Sequence, residues 1–402
     1  MKISLTTTLP YVNSDPHIGF ALEIIQADIV ARWYRQHGYE VFFNTGTDEH
    51  GIKIFRKAQE EGKEVQAYVD EYAAKFDNLK AALNLSYNSF IRTTDPKHIA
   101  AAQEFWKRCE ANGDIYKKQY QIKYCSGCEL EKTDSELVDD KCPLHPNLEI
   151  EMINEENYFF KFSKYQGPLL QLYKEQKSFV VPEHRLNEIR SFVERGLTDF
   201  SISRLKEKMA WGVPVPGDET QVMYVWFEAL MNYITVLGYP EHDDFKKYWP
   251  AQVQVIGKDI IRFHAAIWPA MLMSLGIALP KQLYVHGFVT VEGKKMSKTL
   301  GNVVAPADIV KKYSVDVFRY YFLRHVPSDN DGDCSWERLE AAYNDELANE
   351  LGNAVQRTTA MILKYQDGKI GELPEAGHDV AQYEQALAAC RFDRALDEVW
   401  EQ

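Results

Sequence analysis

The first fifty residues constrain the fold most. "KISLTTT" (2–8) and "EVFFNTG" (40–46) read as strands, and Ile18, Leu22, Ile25, Ile29 and Trp33 recur between them at helical spacing. Gly38 is placed to stop that helix, which runs over 16–37. A helix between two strands is the crossover that parallel strands require, so the chain opens with a β-α-β unit and begins a parallel sheet.

The pattern then changes twice. Helical spacing continues over 65–84 and 95–112, and a Cys-, Lys- and Asp-rich texture with short strands occupies 115–222. An α/β pattern resumes near 223, with strands at "VQVIG" (253–257) and "LYVHGFVTV" (283–291) around an apolar helix, "FHAAIWPAMLMSLGIALP" (263–280). That run is too short to cross a membrane comfortably and contains Pro269 and Gly276, so it reads as buried. From 335 the pattern is purely helical, with Ser335 as a cap and Gly368 as a stop. The expected architecture is α/β: a doubly wound parallel sheet split by an insertion and followed by a helical appendage.

With 402 residues there is room for two to three domains, and a formal net charge of −13 gives no global attraction to nucleic acid or anionic lipid. Any polyanion would need a local basic face. The N-terminal stretch lacks the apolar core of a secretion signal, so a cytoplasmic chain with no membrane association is expected. Six cysteines include Cys125-x2-Cys128 followed by Cys142-x2-His145. Three thiolates and an imidazole in two knuckle pairs suit tetrahedral Zn2+ in a closed structural site, against the alternative of four buried side chains without metal. Cys109, Cys334 and Cys390 stand apart and read as packing residues.

Two further motifs point to phosphate. In "SDPHIGF" Asp15 can cap the helix, Pro16 fits its first position, and His17 then falls in the first turn. Free N–H groups and the helix dipole there make an anion site. Gly19 costs about 1 kcal/mol relative to Ala inside a helix, and its missing side chain would let a flat ligand approach the backbone. A plain capped helix explains these residues equally well. In "VEGKKMSKTLGN" (291–302), Lys294, Lys295 and Lys298 cluster after a strand. Lysine clusters are usually solvated surface. If both strands are parallel, however, the loop leaves the same sheet edge as the His17 helix, where ligands of open α/β sheets bind. Two lysines would then meet the β- and γ-phosphates of a nucleotide whose α-phosphate lies near His17.

"PHIGF" (16–20) paired with "KMSKT" (295–299) resembles the signature pair of the class I aminoacyl-tRNA synthetases. "TLPYVN" (8–13), "TGTDEHG" (45–51), "YVWFEALMNY" (224–233) and "IGKDIIRFHAAIWPAML" (256–272) narrow the resemblance to the methionyl-tRNA synthetases, over nearly the whole chain. The resemblance implies a Rossmann-type catalytic domain over 1–115 and 223–325, interrupted by a zinc-binding connective insertion over 116–222. A stem-contact segment (326–345) and a partial anticodon-binding helix bundle (346–402) would follow. It implies activation of L-methionine with ATP and Mg2+ to methionyl-adenylate and pyrophosphate, then transfer to the 3′-terminal adenosine of tRNA(Met), by a monomer.

Residue by residue, the resemblance implies a methionine pocket of Leu9, Tyr11, Trp226, Ala229, Leu230, Tyr233, Ile260, Phe263 and His264. Aromatic walls suit a polarizable thioether, and Tyr and His could offer the sulfur a polar hydrogen. Asp48 would pair with the substrate ammonium. Pro16, His17, Gly19, Phe20, Glu23, Gly257, Asp259, Lys295, Met296, Ser297 and Lys298 would bind the nucleotide. His17, Lys295, Lys298 and Arg204 would serve the chemistry, and Asn353 and Arg357, at i and i+4 on one helix, the tRNA.

The chain departs from the family pattern at two places. The pattern is His-Ile-Gly-His, and Phe20 replaces its last residue; losing one preorganised donor can cost roughly 100- to 1000-fold in rate. The chain also ends partway through the expected bundle, which puts anticodon affinity in question. Rival expectations are a weakly active or inactive tRNA-binding paralogue, and a related synthetase for another apolar amino acid.

Overall fold

The computed structural model describes residues 1–128, 130–296, 301–371 and 380–401. They form two compact units, one of Met1–Asp15, Tyr39–Asp77 and Tyr87–Val285, the other of Pro16–Gly38, Asn78–Ser86 and His286–Gln402.

The first unit is built on strands β1 (Lys2–Thr7), β2 (Glu40–Thr47), β3 (Ser89–Arg92), β4 (Val180–Val181), β5 (Val253–Gly257) and β6 (Leu283–His286), in the spatial order β3-β2-β1-β5-β6-β4. β1 pairs in parallel with β2 and β5, β2 with β3, and β6 with β4. From β1 the chain order runs outward through β2 to β3 on one side and through β5 to β6 on the other, the doubly wound arrangement with its switch point between β1 and β5. The short β4, earlier in the chain than β5, closes the outer edge beside β6. Five of the six residues of β1 are buried, as expected of a strand covered on both faces.

The insertion contributes an antiparallel sheet of Leu130–Lys132, Ile115–Cys125, Glu151–Phe160 and Phe200–Ser201, in that order. Its last long strand enters the core through Phe160, whose ring lies 5.9 Å from that of Phe227, and Phe227 meets Trp106 edge-on at 5.5 Å. The apolar helix expected over 263–280 is shorter. It opens as a π-helical turn over Phe263–Ile267, continues as Trp268–Ser274, and stops where Gly276 takes φ +64°. Among the described residues no helix is long and apolar enough to cross a membrane.

The second unit contains helix α1 (Ile18–Gln36), and its start differs from expectation. His17, not Asp15, is the N-cap: it has extended backbone angles and its Nδ1 accepts from Gly19 N–H at 3.1 Å. Asp15 instead meets Lys75 Nζ at 2.9 Å in the first unit, since the chain before Pro16 already belongs to the sheet's loop region. Buried Asp28 on α1 accepts from Arg32 Nε, Arg319 Nη2 and the Ser86 N–H, each at 2.7 Å.

The strand expected over 283–291 is two strands. β6 ends at His286, and β7 (Val289–Val291) pairs with β8 (Lys294–Lys295) and β9 (Gly332–Cys334) in a separate three-stranded sheet. The break falls at Gly287, where a Cβ would sit 2.2 Å from the Asn330 carbonyl oxygen. Only glycine admits that backbone approach. Ser335 caps α2 (Trp336–Ala341) as expected, its Oγ accepting from Arg338 N–H at 3.1 Å. That helix runs on through a π-helical segment, Ala342–Gly352, into α3 (Asn353–Gln366), whose C-cap is Asp367 at φ +51°, one residue before the expected stop Gly368 at φ +75°.

Candidate functional site

In the first unit, the carboxyl ends of β1, β2 and β5 deliver Thr8 and Leu9, Asp48, and Ile260 to one recess. Strand pairing persists past the sheet there: Tyr11 and Asp48 form a parallel bridge, and Asp48 N–H donates to Pro10 O at 3.0 Å. Of the ten residues the sequence assigned to an amino-acid pocket, eight line this small, solvent-open recess: Leu9, Asp48, Trp226, Ala229, Leu230, Tyr233, Ile260 and His264. Tyr11 and Phe263 form its aromatic backing. The Trp226 and Phe263 rings stack 3.8 Å apart and 10° from parallel, and Tyr11 meets Trp226 edge-on at 6.1 Å. Thr8 and Asn232 also line the recess; neither stood out in the sequence, where small polar residues carry no signal of their own.

Tyr233 Oη and His264 Nε2 lie 2.7 Å apart. His264 Nδ1 faces the Ile260 carbonyl at 3.1 Å. A carbonyl can only accept, so Nδ1 carries the proton of the neutral ring and Nε2 accepts from the tyrosine. The Tyr233 hydrogen is thus bonded within the wall.

Behind the recess lies a buried network the sequence reading missed. Glu228 is fully buried on the short helix that carries Trp226 and Ala229. It accepts from His50 Nδ1 at 3.0 Å and His98 Nε2 at 2.9 Å, and His98 Nδ1 meets Thr235 Oγ1 at 2.8 Å. Burial alone would raise the Glu228 carboxyl, but the charge and hydrogen bonds of the two histidines hold it below the usual carboxylate range. A His and a Glu 130 positions apart have no sequence signature; only the fold pairs them.

Gly257 ends β5, and Asp259 follows it in a short 3-10 turn, Lys258–Ile260. Arg204 does not line the recess: it is buried on the strand Ser203–Leu205, between the rings of Tyr124 (5.3 Å) and Tyr224 (4.7 Å), donating to Ser201 Oγ and Ser203 O.

In the second unit the two phosphate motifs approach each other. Ile18 N–H donates to Val304 O at 3.2 Å, and a Cβ on Gly19 would lie 3.6 Å from Met296 Cε. That Cβ would also come within 2.9 Å of His17 Cε1. The space left by Gly19 is therefore filled by the imidazole itself, not kept open as the sequence suggested. Burial lowers the His17 pKa from 6.5, so the ring is neutral at pH 7. With Nδ1 accepting from Gly19, Nε2 is the protonated donor. Glu23, one turn along, pairs with His286 Nε2 at 2.9 Å, and Pro16 and Phe20 flank His17 half-buried. Lys294 and Lys295 are exposed on β8, and Asn302 Nδ2 donates to Lys295 O at 3.2 Å. Ser297 and Lys298 lie outside the described residues. Asn353 and Arg357 are exposed on α3, a helix with no buried residue.

Cys125, Cys128, Cys142 and His145 converge with all four ligand atoms within 4.8 Å of one another. Cys128 Sγ lies 3.5 Å from Cys142 Sγ and 3.3 Å from His145 Nδ1. A tetrahedron with Zn–S near 2.3 Å has edges of roughly 3.8 Å, so the donor set fits zinc. Gly127 makes room for it: a Cβ there would lie 2.4 Å from His145 Cγ. Cys109, Cys334 and Cys390 are buried elsewhere, and burial pushes each thiol up to about 12.

A family model described as tRNA synthetases class I (M) matches residues 3–149 and 135–359. A methionine–tRNA ligase of Thermosynechococcus vestitus is 51% identical over 91% of this chain and 70% of its own length. One of Thermotoga maritima is 45% identical over the whole chain and 66% of its own length. Among solved structures, the methionyl-tRNA synthetase of Mycobacterium tuberculosis in complex with methionyl-adenylate superposes with TM-score 0.93 at 41% identity, covering all of this chain and 81% of that one. The apo form of that enzyme gives 0.84 at 37% identity, with 79% of its chain covered.

Proposed function

The chain belongs to the class I methionyl-tRNA synthetase family, and on that premise we propose that it activates L-methionine with ATP and transfers it to the 3′-terminal adenosine of tRNA(Met). The methionine carboxylate attacks the α-phosphorus, pyrophosphate leaves, and a ribose hydroxyl of the tRNA then takes the methionyl group from the adenylate. No protein nucleophile is needed. Catalysis is positioning and stabilisation of charge on the transferring phosphate.

The observation that carries this reading is the recess at the ends of β1, β2 and β5, whose wall combines Trp226, Tyr233, His264 and the Asp48 carboxylate. Stacked and edge-on rings favour a thioether, and a buried carboxylate favours an ammonium. His17, neutral and capping α1, offers its Nε2–H to an oxygen of the α-phosphate, helped by the helix dipole. Lys295 and Lys298, with Mg2+ as counter-ion, take the charge of the leaving pyrophosphate, while Gly257 and Asp259 hold the adenosine. Arg204, fixed between two tyrosine rings, positions its strand. Phe20 supplies no donor, so His17 is the one signature imidazole that offers a hydrogen bond to the phosphate.

Zinc, held by Cys125, Cys128, Cys142 and His145, would cross-link the insertion (116–222) and take no part in the chemistry. Asn353 and Arg357 present a donor face to the tRNA anticodon from the helical segment that follows residue 346. The protein acts as a cytoplasmic monomer. Likeness to methionine–tRNA ligases favours this reading over an inactive paralogue or a synthetase for another apolar amino acid.

Pyrophosphate–ATP exchange with methionine, and with leucine as control, tests the first step; charging of tRNA(Met) tests the second. Methionine-specific exchange is expected. Exchange that ignores methionine or prefers leucine would overturn the assignment.

A further inference from the structure

The lysine segment begins on a hairpin whose turn is unusual. Val291 pairs with Lys294 across Glu292 and Gly293, which take φ values of +50° and +70°. A two-residue turn of that hand suits a twisted hairpin, but a glutamate in left-handed conformation is uncommon, so something must hold it. The segment over 331–336 does. Gly293 N–H donates to Asp333 Oδ1 at 2.8 Å, and the same oxygen accepts from Thr290 Oγ1 at 2.6 Å. Glu292 N–H donates to Cys334 O at 3.1 Å, and Glu292 Oε1 accepts from Trp336 N–H at 3.1 Å, at the start of α2. Parallel pairing of Thr290 with Asp333 fixes the register of this seam.

Beyond the turn come Lys294 and Lys295. The far end of the loop is tied separately, through Asn302 Nδ2 to Lys295 O and through Val304 O to Ile18 N–H, next to His17. The path from His17 to Lys295 thus has two anchors, and at the entry anchor the Gly293 N–H and the Thr290 hydroxyl meet on one carboxylate oxygen.

We propose that Asp333 is a positioning residue for pyrophosphate departure: by accepting from Gly293 and Thr290 together, it sets the angle at which the hairpin delivers Lys295. This rests on the reading above that Lys295 serves the leaving pyrophosphate. Asp333 touches no substrate; it acts through the backbone of the turn. The bonds require an acceptor oxygen, not a charge, so Asn can serve in its place and Ala cannot.

The test is methionine-dependent pyrophosphate–ATP exchange on the full chain, comparing wild type, Asp333→Ala and Asp333→Asn, with methionine affinity measured by tryptophan fluorescence. Misplacing a reacting group by an ångström can cost about 100-fold. For Asp333→Ala the expectation is a fall in kcat of about 10- to 100-fold with methionine Kd within about twofold of wild type, and for Asp333→Asn a kcat within about threefold. Wild-type kcat in Asp333→Ala overturns the proposal. So does loss of methionine binding in Asp333→Ala, which marks a structural role, or an equal defect in Asp333→Asn, which marks charge as the requirement. Wild-type protein without methionine-dependent exchange overturns the functional reading and this proposal with it.

Discussion

The imidazole of His17 occupies the space that the missing side chain of Gly19 leaves, with its Nδ1 3.1 Å from the Gly19 nitrogen. The glycine thus serves the histidine next to it: it lets the ring fold back over the end of α1 and fixes which nitrogen carries the proton.

Gly19→Ala should therefore separate stability from activity. Alanine in a helix is worth up to about 1 kcal/mol over glycine, which roughly offsets the loss of the His17 cap, about 0.5–2 kcal/mol, so thermal stability should change little. Its Cβ would stand 2.9 Å from His17 Cε1, forcing the ring away. Pyrophosphate exchange should fall by about 100-fold in kcat, with methionine affinity, set in the other unit, unchanged. Steady-state kinetics beside a melting curve would check both halves.

The acid limb of activity should report His17. Its folded-state pKa lies below 6.5 because burial disfavours the imidazolium. The unfolded chain therefore takes the proton first as pH falls. Whatever stability the neutral ring contributes is complete above pH 6.5 and is lost as pH drops through the lowered folded value. Protonation also destroys the Nδ1 acceptor, so kcat/KM should decline with an apparent pKa below 6.5. In His17→Gln that limb should vanish from the pH profile.

One zinc per chain is expected by elemental analysis. Gly127→Ala should lower that content although all four donors remain, because the added carbon would stand 2.4 Å from His145 Cγ. Prolonged chelation should lower the melting temperature of wild type, since a structural zinc site contributes directly to folding. An unchanged melting curve after verified zinc removal would count against a structural metal.

Tyr233→Phe removes the donor to buried His264 Nε2. An unsatisfied buried acceptor costs about 1–3 kcal/mol, which should appear as a lower melting temperature. His264 then keeps its bond to the Ile260 carbonyl but not the one to residue 233, and on the proposed function methionine KM should rise more than kcat falls. The ratio of methionine to leucine exchange rates is the readout for selectivity.

Much of this was legible in the residues. The β-α-β opening, the Ser335 cap and the knuckle spacing rest on local rules, 3.6-residue periodicity, capping chemistry and ligand geometry, and each is present in the structure. The single strand expected over 283–291 failed for a non-local reason: the Asn330 backbone presses on Gly287, and no window around Gly287 contains Asn330. The cap moved from Asp15 to His17 because both residue types can accept from a helix end, and the fold drew Asp15 to Lys75.

Taken alone, the sequence determined the parallel sheet and the four side chains that converge as a candidate zinc site, because those depend on spacing along a few tens of residues. Tertiary structure decided what touches what across hundreds of positions. It placed Glu228 between His50 and His98, fixed the tautomer of His264 through Ile260 and Tyr233, and tied Asp333 to the turn before Lys295. Hydrogen bonds are short-ranged and directional, so their partners are chosen only once the chain has brought distant segments within about 3 Å of each other.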